Sequence, residues 1–244
     1  MSETLNKSVA AVVTAMTDGE KPFLYETVSA IISDPEIGQI IICINKTNSW
    51  ITDTLNSLLD DSRVELLRFD MAPLPVIRNQ SIKPVKLPWV AYCDGDDVWC
   101  AGKTTRQLRF ATLHQSDFVG ADHWLVDEDG VIRASALAHI IPMPSSWLVK
   151  TEILRMHLFN PSSIVGSDCE WWARTNGQFK TLRLPEHLIK YRVRSTSNSS
   201  TEPSKKRKVQ IIRLSRAPIL GNIIFALTYL AWFAFRRTNY QTRN

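Results

Sequence analysis

The chain has 244 residues, 44% of them hydrophobic and 22% charged, a globular balance sufficient for one large core or two small ones. Its net charge of +5 is unevenly placed: nine Lys or Arg and no acid lie from Ser204 onward, against 20 basic and 24 acidic residues before it. A mildly acidic body with a basic tail is not the footprint of a nucleic-acid-binding domain and points instead to a tail that meets an anionic surface.

Residues 9–15 (VAAVVTA) form a short continuous apolar run, the signature of a strand buried on both faces. Pro22 opens a helix with Leu24, Val28, Ile31 and Ile32 at helical spacing. A second β-branched run follows Gly38, from Gln39 to Ile44; Thr52 to Leu59 reads as a short helix, and Arg63 to Phe69 as a third strand. A fourth strand, Pro88 to Cys93, ends directly on the cluster Asp94-Gly95-Asp96-Asp97. Strands alternating with helices predict a mainly parallel α/β sheet flanked by helices. Ligands bind such sheets outside the carboxyl ends of the strands, so Thr14 to Asp18, Asn45 and Asp94 to Asp97 are expected to converge on one crevice.

Farther along, Asp117 to Val126 and Val131 to Ser135 read as a hairpin turning at Asp129-Gly130, and Trp147 to Thr151 as another strand. Ser167 to Gly177 reads as a helix, with Ser167 as its cap and Glu170 completing a capping box. Residues 195–204 are polar and of low complexity, as a linker would be. Lys205 to Lys208 precede nineteen residues, 217–235, whose only polar members are Asn222 and Thr228. Such a segment is expected at a membrane, spanning the bilayer core or lying in its interface, the alternative being a buried core helix of the same domain. No apolar run behind a basic end marks residues 1–9, so no secretory signal is expected. The four cysteines (43, 93, 100 and 169) form no C-x-x-C pair and read as small buried thiols.

Asp94, Asp96 and Asp97 crowd three carboxylates into four positions, and Gly95 lets the backbone bend and a ligand approach. Hard oxygen ligands at a strand end suit Mg²⁺ or Mn²⁺ held jointly with substrate phosphates. The alternative is a plain surface turn, in which Asp and Gly are common. Asp168, in the first turn of its helix, could equally serve only the helix dipole.

Residues 77–82 (IRNQSI) followed by 89–99 (WVAYCDGDDVW) resemble the core motif of family-2 glycosyltransferases, inverting enzymes of GT-A fold with a D-x-D motif. Residues 12–17 resemble that family's first strand and nucleotide-contacting loop, 166–172 (GSDCEWW) its acidic helix start, and 191–195 (YRVRS) its Tyr-Arg-x-His segment. The resemblance implies that Thr14, Asn45 and Arg78 lie at the nucleotide, Asp94 at the ribose or metal, and Asp96 on the metal. It implies Asp168 as the general base, with Arg192 and Arg194 near the diphosphate. Three positions depart from the pattern: Asn45 stands for an aspartate, Arg194 for a histidine and Ser167 for a glutamate.

The resulting expectation is a GT-A-like domain over residues 1–197, a linker over 198–210 and a membrane-associated helix within 211–244. The expected activity is metal-dependent inverting transfer from a nucleotide diphosphate sugar to a glycan or lipid-linked acceptor, with Mn²⁺ or Mg²⁺, at the cytoplasmic face of a membrane. No nucleic-acid partner is expected. The rivals are a sugar-nucleotide nucleotidyltransferase and a non-catalytic, membrane-tethered glycan-binding protein.

Overall fold

The computed structural model describes residues 7–136, 138, 140–194 and 203–240. Strand β1 (Val9–Ala15) is buried along its whole length. It pairs in parallel with β2 (Ile37–Asn45) on one side and β4 (Trp89–Asp94) on the other, and β3 (Val64–Phe69) adds in parallel to β2. The continuous apolar runs follow from this position, since a central parallel strand meets a covering layer on both faces.

Alternation sorts β1 between two cores. Val9, Ala11 and Val13 pack with Leu24, Val28 and Ile31 of α1 (Leu24–Ile32). Ala10 and Val12 join the opposite core with Ile77 of α3 (Leu74–Ser81), Tyr92, Trp147 and Trp171. The helix expected over 52–59 is α2 (Ile51–Leu55), followed by a tight 3₁₀ turn over Asn56–Asp60.

Beyond β4 the sheet becomes mixed. β5 (Val98–Trp99) leads into α4 (Lys103–His114), then β6 (Phe118–Val126) and β7 (Ile132–Ala136) form the hairpin. β8 (Leu148–Lys150) runs antiparallel between β4 and β6, and β9 (Thr181–Arg192) runs parallel to β6. One nine-stranded sheet results, ordered β3-β2-β1-β4-β8-β6-β9-β5 with β7 beside β6. The short α5 (Thr151–Met156) follows β8.

Helix α6 (Ser167–Thr175) is capped differently from the sequence expectation. Gly166, at φ +68°, is its N-cap, Ser167 is already helical and makes no cap bond, and Glu170 pairs with Arg174 at 2.7 Å. Both Trp171 and Trp172 lie in the core, among Trp147, Phe118 and Tyr240, so neither is available to stack on a sugar.

The C-terminal segment is helical earlier than expected. α7 (Pro203–Ser215) includes residues 203–210 of the stretch read as linker, while 198–202 lie outside the described residues. α8 (Pro218–Ala234) packs on β7 and α7. It is clasped by a fully buried ion pair between the sheet strands, Asp122 Oδ2 to Arg183 Nη2 at 2.8 Å. Trp232 Nε1 donates to the same carboxylate at 2.7 Å, and Arg183 Nη1 donates to the Phe235 carbonyl at 2.7 Å. Among the described residues no helix is long and apolar enough to cross a membrane. The expected buried thiols are Cys43 and Cys93, burial pushing the Cys43 pKa up to about 12; Cys169 is exposed. His139 lies outside the described residues.

Candidate active site

The loop after β4 is pinned to the end of β1. Thr14 and Asp94 are register neighbours, and Thr14 Oγ1 donates to Asp94 Oδ1 at 3.0 Å. Gly95 N donates to the Thr14 carbonyl at 2.8 Å, and a Cβ on Gly95 would stand 3.0 Å from that oxygen. Its close approach therefore serves the neighbouring strand rather than a ligand. Thr27 Oγ1, from α1, donates to the Asp97 carbonyl at 2.8 Å.

Asp97 is fully buried and shapes the turn. Its Oδ2 accepts from Ser145 Oγ at 2.6 Å and its Oδ1 from Arg192 N at 3.0 Å, while Ser145 Oγ accepts from Asp94 N at 3.0 Å. Burial, reinforced by the nearby Asp96 and Asp94, raises its pKa well above the ordinary carboxylate range. Asp96 is also raised, by burial first, against the lowering effect of Arg194.

Three arginines surround the loop, in different roles. Arg192 is spent on structure: Nη2 pairs with Glu26 at 2.8 Å, Nη1 donates to the Glu128 carbonyl at 2.7 Å, and the guanidinium lies 4.4 Å over Phe23. Arg78, only 2% exposed, sits between Tyr92 and Phe159 with Nη2 3.7 Å from Asp94 Oδ1. Its Nε is buried without a hydrogen-bond partner among the described residues. Arg194 reaches Asp96 Oδ2 through Nε at 2.6 Å and the Gly19 carbonyl through Nη1 at 2.7 Å.

A cavity of about 1170 Å³ opens here. Thr14, Arg78, Asp94, Arg194 and, from α6, Asp168 line it together, so five of the residues singled out in the sequence meet in one space. The cavity extends from the carboxylate loop past Leu125, Ala136 and Ile141 to Arg207, Lys208 and Leu227 on α7 and α8. Asn45, Asp96 and Arg192 are not on its wall. Asn45 is instead held in a local turn, its Oδ1 accepting from Thr47 N at 3.1 Å.

The donor set does not fit the expected divalent metal. Asp96 Oδ2 is capped by Arg194, Asp94 Oδ1 accepts from Thr14 and faces Arg78, and both Asp97 oxygens are committed. Among the described residues no three His, Cys, Asp or Glu side chains are grouped so as to hold a metal ion. A Mg²⁺ or Mn²⁺ ion shared with substrate phosphates takes one or two protein carboxylates, and at the two expected ligands Arg194 and Thr14 already hold an oxygen.

Sequence reasoning missed Glu20 and Ser145, read His123 as structural, and gave Tyr191 no role of its own. Glu20 lines the cavity and is fixed by Thr17, whose N and Oγ1 donate to its Oε2 at 2.8 and 2.6 Å. The Thr-x-x-Glu spacing of residues 17–20 was its available signal. Ser145 follows a Pro-rich turn and carries none. His123 and Tyr191 line the same cavity; burial pushes the His123 imidazole well below its ordinary pKa, and among the described residues neither ring nitrogen has a hydrogen-bond partner.

No protein-family model and no curated protein matches the chain. Solved structures do match in fold. TarS residues 1–349 from S. aureus, in complex with UDP-GlcNAc, is 12% identical with a TM-score of 0.66, covering 94% of this chain and 74% of that one. The mannosyltransferase PcManGT from Pyrobaculum calidifontis, with GDP-Man and Mn²⁺, is 11% identical with a TM-score of 0.63, covering 94% and 76%. The 4-diphosphocytidyl-2C-methyl-D-erythritol synthase of Anaerococcus prevotii is 14% identical with a TM-score of 0.54, covering 87% and 100%. The chain therefore has a GT-A-like fold.

Proposed function

We propose that the protein is a family-2-type glycosyltransferase, moving a sugar from a nucleoside diphosphate donor to a glycan or lipid-linked acceptor. The observation that carries this reading is the shared cavity at the ends of β1 and β4, which Thr14, Asp94, Arg78, Arg194 and Asp168 all line. In it, Asp94 hydrogen-bonds the ribose of the donor, and Arg78 with Arg194 offsets the diphosphate charge. The acceptor hydroxyl attacks the anomeric carbon as the bond to the diphosphate oxygen breaks. Asp168 takes the hydroxyl proton, the nucleoside diphosphate leaves, and the configuration inverts. Mn²⁺ and Mg²⁺ are not part of this reading, because Asp96 is already capped by a guanidinium.

The acceptor side of the cavity, with Leu125, Ala136, Ile141 and Leu227, is apolar, and Arg207 and Lys208 border it. Ile219, Ile223, Leu230 and Phe233 form one exposed stripe along α8. With the basic residues of α7, that stripe suits a helix lying in a membrane interface at the cytoplasmic face, where anionic lipid is concentrated.

Incubating the full chain with a panel of nucleotide sugars and lipid-phosphate or glycan acceptors tests the reading. It requires transfer by the wild type and a loss on the order of 10²- to 10⁴-fold in kcat for Asp168→Asn. Pyrophosphate release from a nucleoside triphosphate and a sugar phosphate would instead favour the nucleotidyltransferase, whose fold is also similar. Donor binding without transfer or hydrolysis would favour a glycan-binding protein.

A further inference from the structure

We infer that the guanidinium of Arg194 holds the position of a divalent cation at the donor site, so that a nucleoside diphosphate is bound there without metal; this rests on the donor reading above. Arg194 lies on the cavity wall and Asp96 does not. An incoming phosphate therefore meets the arginine before the carboxylate.

The arginine is seated from three sides. Nε donates to Asp96 Oδ2 at 2.6 Å, Nη1 to the Gly19 carbonyl at 2.7 Å, and Nη2 approaches Glu20 Oε1 at 3.4 Å. Glu20 is itself anchored by the Thr17 backbone and hydroxyl. The seat exists because position 19 has no side chain: a Cβ there would stand 2.5 Å from Arg194 Nη1.

A guanidinium carries five N–H donors and is always charged. Three are directed at Asp96, Gly19 and Glu20, which leaves two for a ligand. Its planar fork matches phosphate oxygens, and it can neither lose its proton nor ligate a metal. Arg78, whose buried Nε has no hydrogen-bond partner among the described residues, supplies a second fixed positive charge on the same cavity. Together the two replace the charge of a divalent ion, and neither has to be recruited from solvent.

Two measurements on the full chain test this. The first is the electron paramagnetic resonance signal of free Mn²⁺, titrated with protein. The second is calorimetric binding of UDP, GDP, CDP, ADP and dTDP, in EDTA and in Mn²⁺. The wild type should leave the Mn²⁺ signal undiminished and bind one of the nucleotides equally, within about twofold, in both buffers. Arg194→Ala should weaken binding in EDTA on the order of 10- to 100-fold. It should also uncover Asp96, so that protein now diminishes the Mn²⁺ signal. Gly19→Ala, which displaces the guanidinium without removing it, should shift both readouts in the same direction. Mn²⁺ uptake by the wild type, or nucleotide binding that needs Mn²⁺, overturns the inference and leaves the donor reading standing. Failure of every nucleotide in both buffers overturns the donor reading, and the inference with it.

Discussion

The first four strands and the C-terminal helices are attached to the molecule by opposite means. β1, β2 and β4 stand on continuous apolar burial, with Val9 to Val13, Ile40 to Ile44 and Val90 to Cys93 almost wholly enclosed, while β3 closes the edge half-exposed. α8 has a far more exposed apolar surface, and to the stacking of Phe225 and Tyr229 on Trp124 it adds a polar clasp, Trp232 and the Phe235 carbonyl on the Asp122–Arg183 pair. Burial in a sheet is spread over many residues and survives small losses; a buried charge pair concentrates its effect in two. The same contrast explains why residues 217–235 read in sequence as a membrane segment. The apolar residues are there, but one face packs and the other is exposed.

Removing the clasp should have the largest effect. Asp122→Ala leaves Arg183 charged and unpaired in the interior, which costs about 3–5 kcal/mol. Urea denaturation measures that loss, and hydrogen exchange should show α8 losing protection before β1. A smaller loss, about 2–4 kcal/mol, is expected for Ile42→Ala in the parallel sheet, from lost burial and the cavity left behind. In that variant α8 should keep its protection relative to the rest, and early exchange of α8 there would break the contrast.

Gly166→Ala probes the junction. Gly166 is in the left-handed region at φ +68° with open space around the missing Cβ, so the penalty is backbone strain of about 1 kcal/mol. Because Gly166 caps the helix that carries Asp168, transfer should fall while nucleotide binding holds.

The smallest expected effect is on pH dependence. His187 stacks on Trp124 at 3.6 Å and pairs with Ser135, and burial, with Arg183 nearby, lowers its pKa to about 4. The unfolded chain therefore binds its proton first as pH falls below about 6.5. The stabilisation from neutral His187 is fully present above that value and is lost as pH falls through about 4. Accordingly, the stability advantage of the wild type over His187→Gln should shrink across that window. An advantage that grows instead would contradict the assignment.

The parallel half was legible in the sequence because β1, β2 and β4, buried on both faces, leave apolar runs, and the edge strand β3 alternates apolar with charged residues. β9 was not, since Pro185, Glu186 and Lys190 interrupt its pattern; the register shifts where β6 passes Asp122, opposite that stretch. Nor was α7, whose Lys and Arg are good helix formers but carry no clear apolar period. The convergence of Thr14 and Asp94 could be read from strand order alone. The position of Asn45 and the capping of Asp96 could not, because a turn and a pair 98 residues apart decide them.

The central claim is that a nucleoside diphosphate sugar occupies the cavity over Thr14, Arg78 and Asp94. The melting temperature of the full chain, followed across rising concentrations of a nucleotide-sugar panel, tests it most directly. One donor should raise the melting temperature steadily, by an amount equivalent to about 2.7 kcal/mol at a hundredfold excess over its Kd. Asp94→Asn and Arg78→Met should flatten that response. A wild-type melting temperature that no member of the panel moves would contradict the account.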